Sequence, residues 1–60
     1  MKAIYKKVME EGTIVKIQTF DASNGVYMLA FARYKGEIFM FKYKDGKLVE
    51  CMNLSKAKDF

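Results

Sequence analysis

Three short turn signals divide most of this sequence into four runs of similar length, and that spacing limits the fold more than any other feature. The sharpest signal is Lys44-Asp45-Gly46-Lys47. Asp-Gly between two apolar-rich runs is a strong hairpin cue, because a type I′ turn needs positive φ at both central residues. Tyr34-Lys35-Gly36-Glu37 is a second tight turn, with Gly36 supplying the permissive backbone. Asp21-Ala22-Ser23-Asn24-Gly25 is a third, in which Asn24-Gly25 again suits positive φ. The runs between them are Thr13–Phe20, Val26–Tyr34, Glu37–Lys44 and Lys47–Leu54, all rich in β-branched or aromatic residues. Short turns between such runs predict a four-stranded antiparallel meander, either a curved sheet or a small SH3-like barrel.

Two-residue loops set the register. Around Lys35-Gly36 they place Ala32 opposite Phe39 and Ala30 opposite Phe41. Around Asp45-Gly46 they place Phe41 opposite Glu50 and Phe39 opposite Met52. One face then carries Val26, Met28, Ala30, Ala32, Tyr34, Phe39, Phe41, Tyr43, Leu48, Met52 and Leu54. If Asn24-Gly25 is also a two-residue loop, Val15 and Ile17 join this face. The paired alanines leave a shallow trough beside the two phenylalanines, so this is the expected core. The opposite face carries Ile14, Lys16, Gln18, Phe20, Tyr27, Leu29, Phe31, Arg33, Ile38, Met40, Lys42, Val49, Cys51 and Asn53.

The N-terminal segment Met1–Glu11 reads two ways. Ile4, Val8 and Glu11 recur at helical spacing, with Tyr5 and Met9 alongside, and Gly12 stands where a helix-ending glycine would. A fifth strand with Ile4, Lys6 and Val8 on one side is the alternative. Glu10-Glu11 is poor strand material, which favours the helix. It would lie in the alanine trough and bury Ile4, Tyr5, Val8 and Met9. At the other end, Ser55 could cap a short turn through Asp59, and Phe60 could pack back on the body or the end could fray.

Length and composition exclude several function classes. Sixty residues make a single small domain, residues 1–60, whose core alone returns little stability. Cys51 is the only cysteine, so no internal disulfide can staple it. A lone thiol fits a reducing compartment, and no stretch looks like a signal peptide or a membrane span, so a cytoplasmic location is expected. There is no histidine and no carboxylate cluster at ligand spacing, so no metal or other cofactor is expected. Without histidine there is no Ser–His or Cys–His pair. Cys51 lies between Glu50 and Met52, where nothing cationic would activate it. The glycines sit as turn residues and not in a phosphate cradle. A non-enzymatic role follows.

What remains is binding. The second face interleaves polar groups with an apolar patch centred on Leu29, Phe31 and Met40. Contiguous exposed apolar surface usually marks an interaction site. In a closed barrel the same residues would be core. Five methionines supply adaptable surface, and the aromatics supply anchors. The sequence therefore points to a protein–protein interaction module, a small regulator or inhibitor that occupies a partner's surface through Phe31, Met40, Leu29, Ile38, Arg33, Lys16 and Lys42. By analogy alone, small cofactor-free products of this kind are common in phage and mobile-element genomes. Self-association into a homodimer is also expected, through this face or through an edge strand. The alternative is single-stranded nucleic acid. Lysine and arginine outnumber aspartate and glutamate by 11 to 7, a formal charge of +4, although the cations are scattered. Lys16 and Arg33 fall opposite each other in the expected register. With Lys42, Tyr27 and Phe20 they would meet phosphates and stacked bases.

Overall fold

The four runs pair in the order in which they occur. In the computed structural model, which describes residues 1–56, a helix α1 (Ala3–Glu11) precedes strands β1 (Thr13–Ala22), β2 (Gly25–Tyr34), β3 (Glu37–Lys44) and β4 (Lys47–Asn53). The sheet order is β1-β2-β3-β4, antiparallel throughout. The chain is mainly β, and the sheet stays open: it does not close into a barrel, because β1 and β4 remain at opposite edges. The expected packing of Phe60 and the turn as far as Asp59 lie outside the described residues. Ser55 itself caps no helix there. Its hydroxyl accepts a hydrogen bond from the Ile38 amide at 3.0 Å, and its own amide donates to Asn53 Oδ1 at 3.0 Å.

Both later turns have the geometry their sequences require. Lys35 and Gly36 have φ of 51° and 78°, and Asp45 and Gly46 have φ of 50° and 83°, so both central residues of each turn are left-handed. Asp45 does more than turn the chain. Its amide donates to the Val26 carbonyl at 2.8 Å, and its Oδ1 accepts from the Val26 amide at 3.0 Å. The β3–β4 turn is thereby tied to the start of β2.

β2 and β3 pair as the sequence predicts, with Ala30 opposite Phe41 and Ala32 opposite Phe39. The outer strands do not. In β4 one extra residue, Val49, bulges between the pairs Tyr43–Leu48 and Lys42–Glu50. Beyond it Phe41 faces Cys51 and Phe39 faces Asn53. Because side chains alternate, this one-residue slip moves Cys51 and Asn53 to the helix side and Met52 to the open side. In β1 the first turn uses Ser23 and Asn24 as its central pair and closes on Ala22–Gly25, so the loop is not Asn24-Gly25. A second bulge, at Val15, puts Ile14 opposite Ala32 and hence on the helix side. A bulge has no dedicated residue signature here, so regular alternation mispredicts both strands.

The N-terminal segment is a helix, and packing holds it there. It is nine residues long, below the length at which an isolated helix persists in water. Lys2 at its N-cap makes no side-chain bond, its first turn has no acid, and its last turn has no base. The Lys7–Glu11 pair at 3.3 Å is exposed and adds little. Instead Val8 is buried in the core with Ala30, Ala32, Phe39 and Phe41. The Tyr5 ring stands edge-on to both Phe39 and Phe41, at 6.1 Å from each. Such edge-to-face pairs contribute roughly 0.5–1.5 kcal/mol each beyond area burial. Ile4 and Met9, expected under the helix, are instead exposed. The alanine trough is only wide enough for the Tyr5–Val8 stripe.

Gly12 joins helix to sheet in extended backbone, with φ of −74°, and not in the left-handed form of a helix-ending glycine. It is required for space: a Cβ there would lie 2.6 Å from the Val8 carbonyl oxygen and 3.3 Å from that of Arg33. Gly12→Ala is expected to lower stability by roughly 1–3 kcal/mol through overpacking. Phe39→Ala should cost about 3–5 kcal/mol, enough to unfold a domain this small. Thermal and urea melts followed by circular dichroism check both. An unchanged midpoint for Gly12→Ala would mean that the α1–β1 junction shifts freely.

Candidate interaction surface: the open face of the sheet

The helix covers one side of the sheet, and among the described residues no element covers the other. Antiparallel pairing arranges that open face in rows. Lys16, Phe31, Met40 and Met52 form one row, and Gln18, Leu29, Lys42 and Glu50 the next. Phe20, Tyr27, Lys44 and Lys47 form a third towards the turns, while Arg33 and Ile38 pair at the opposite end. All seven residues expected to bind a partner (Lys16, Leu29, Phe31, Arg33, Ile38, Met40 and Lys42) thus share one face. Met52 completes its apolar centre, and the sequence reading missed it because the β4 bulge was not foreseen. Leu29, Phe31, Ile38, Met40 and Met52 are each half-buried by their neighbours on the sheet, without a covering layer.

The predicted Lys16–Arg33 pair does not form. Lys16 faces Phe31, and Arg33 faces Thr13. The register instead creates a like-charged pair at Lys44 and Lys47, beside the Asp45-Gly46 turn. The charge distribution is one-sided. Among the described residues, the strands place Lys16, Arg33, Lys42, Lys44 and Lys47 on the open face, against Glu50 alone. The remaining six basic and six acidic residues of the sequence cancel (11 less 5, and 7 less 1), so the described charges of this face equal the formal charge of +4. Composition could not reveal this. The lysines scattered along the chain converge only once the strands are aligned.

At one corner the aromatics and cations are already ordered. The Phe20 and Tyr27 rings stack at 5.4 Å with an interplanar angle of 15°. Lys42 Nζ lies 5.2 Å from the Tyr27 ring centre, a cation–π distance. Asn24 Nδ2 donates to the Tyr27 hydroxyl at 3.0 Å and fixes the ring from the turn side. The five residues named for nucleic acid therefore do not form one cluster. Phe20, Tyr27 and Lys42 meet here, while Lys16 and Arg33 lie further along the strands.

Two other features lie on the helix side. Cys51 packs half-buried against the core cluster, lining an open groove of about 500 Å³ with Lys2, Tyr5 and Leu48. Burial pushes its thiol above the ordinary 9.0, with the N-terminal ammonium opposing and Glu50 adding to the rise. No group of three His, Cys, Asp or Glu side chains among the described residues is placed to hold a metal ion. No helix of the described residues is long and apolar enough to cross a membrane.

A thiol whose pKa is raised on folding stabilises the fold while it is neutral. That contribution is complete below the unfolded pKa near 9.0 and is lost as pH rises through the folded value. Alkylation of Cys51 at pH 8 is accordingly expected to be slower in the folded chain than in denaturant, and folded stability should fall above about pH 9. Equal alkylation rates in the two states would show the thiol to be freely exposed.

No family model, no curated protein and no solved structure matches this chain, so any functional reading rests on the chemistry of the open face itself.

Proposed function

We propose that the chain is a non-enzymatic binding module whose open sheet face docks on an acidic protein surface and acts by occupying it, as a small regulator or inhibitor does. The observation that carries this reading is an apolar centre bordered by cations that converge on one face from distant parts of the chain. Leu29, Phe31, Ile38, Met40 and Met52 supply the centre, and Lys16, Arg33, Lys42 and Lys44 its border. Interfaces of moderate size have this anatomy, with an apolar core inside a polar rim that steers encounter by charge. The complementary partner is an apolar patch ringed by carboxylates. The unpaired Cys51 supports a reducing, cytoplasmic setting.

A second reading has its own observation. The Phe20–Tyr27 stack with Lys42 over the ring, next to Lys44 and Lys47, resembles a platform on which a base could stack while phosphates meet the cations. It would hold single-stranded nucleic acid at the turn end of the same face.

The two readings predict different losses. Met40→Glu and Phe31→Glu should leave the β circular-dichroism signal intact and weaken capture of a nuclease-resistant protein partner by roughly 2 kcal/mol or more, as central anchors do. Tyr27→Ala should leave that capture almost unchanged. If single strands are the ligand, labelled oligonucleotides should shift at low salt with a slope of roughly −0.7 per phosphate contacted, and Tyr27→Ala should abolish the shift. Unfolding of both Met40→Glu and Phe31→Glu would mean that these side chains are structural, and the docking face would lose its centre.

A further inference from the structure

Among the described residues, the outer edge of β1 is the longer of the two sheet edges left without a neighbouring strand. The geometry points to a second copy of this chain as its partner, with β1 against β1 in antiparallel array, so that two molecules share one eight-stranded sheet. β1 spans Thr13–Ala22 and pairs with β2 alone, and every one of its residues is exposed. In an antiparallel strand alternate residues direct their N–H and C=O outward, so a strand of this length presents a ready ladder. The chain contains no proline that could block it.

Apolar surface is concentrated at the same edge. Ile14, Val15, Ile17 and Phe20 are four of the nine large hydrophobic residues left exposed in the described chain, and both isoleucines are 56% exposed. Met9, also exposed, shares with Ile14 a groove of about 170 Å³ between α1 and the sheet. Charge chooses the occupant. β1 carries one cation, Lys16, and one anion, Asp21, so two copies meet without net repulsion. The open face, at +4, would repel its own copy. The other edge suits pairing less: β4 has seven residues, a bulge at Val49, and Lys47 and Glu50 as guards. A domain with five buried core residues among those described also gains from a second subunit.

Symmetry then determines the arrangement. Two antiparallel strands lying side by side and related by a two-fold must have the axis normal to the sheet. Both helices therefore fall on one side, where Ile14, Ile17 and Met9 of the two copies extend a shared apolar layer. Both open faces fall on the other side and form one surface twice as wide. If the docking role proposed for that face holds, the dimer is bivalent. The pairing of the edges does not depend on it.

Light scattering on the chain at micromolar concentration should give twice the 7.0 kDa of one copy. Ile17→Lys, an exposed edge position, should return the mass to a single copy while the β signal persists. Met40→Glu, on the open face, should leave the dimer whole. Amide exchange in the wild type should protect β1 at consecutive residues, where a free edge would protect only alternate ones. A wild-type mass of 7.0 kDa overturns the inference, and so does a dimer that survives Ile17→Lys or is lost in Met40→Glu while the β signal of that variant persists. If Ile17→Lys fails to fold, the wild-type exchange pattern decides: alternate protection along β1 rejects the pairing and continuous protection supports it.

Discussion

The packing of one short helix against the Phe39–Phe41 strip holds the molecule together. Ala30 and Ala32 on β2, opposite those phenylalanines, are small enough to admit Tyr5 and Val8. Larger side chains there would lift α1 off the sheet. The nine-residue helix is too short to persist alone, and the four-stranded sheet needs one apolar face covered, so each gains from the contact between them. The helix lacks side-chain caps and favourable end charges, which is consistent with a segment ordered from outside. Gly12 allows the chain to leave the helix and enter β1 within hard contact of the Val8 carbonyl.

That single contact also makes the molecule one-sided. A chain of this length has apolar mass for one covered face and none to spare for another layer. The side of the sheet away from α1 is left open, with Leu29, Phe31, Ile38, Met40 and Met52 only half-buried. Pairing of the strands then gathers the cations from distant parts of the sequence onto that uncovered side. Apolar side chains and charge thus come to share a surface as a consequence of the same topology.

The two bulges matter more than their size suggests. Val49 turns Cys51 inward and Met52 outward, which takes the thiol off the open face and completes the apolar strip. Val15 turns Ile14 to the helix side, where it lines the groove between α1 and the sheet. Each insertion of one residue changes which surface several side chains serve, because the strand period is two. The bulges occur in the outer strands, where only one neighbour constrains the register. β2 and β3, paired on both sides, run regularly.

The sequence by itself determined the elements and the central register. Asp45-Gly46 and Lys35-Gly36 end in a glycine that tolerates the positive φ a two-residue turn needs, and the Ala30–Phe41 and Ala32–Phe39 pairs follow from those turns by counting. The spacing of Ile4, Val8 and Glu11 against the poor strand character of Glu10-Glu11 was enough to favour a helix, and the seven residues proposed for docking were already on one face. Tertiary structure alone decided that the sheet stays open, that Ile4 and Met9 remain outside the core, and that Lys16 meets Phe31 and not Arg33. It also decided where the charge gathers. Turns and periodicity are local, so the sequence states them directly. Bulges, sheet closure and the convergence of distant lysines depend on how whole strands fit against one another, and no short stretch of sequence contains that information.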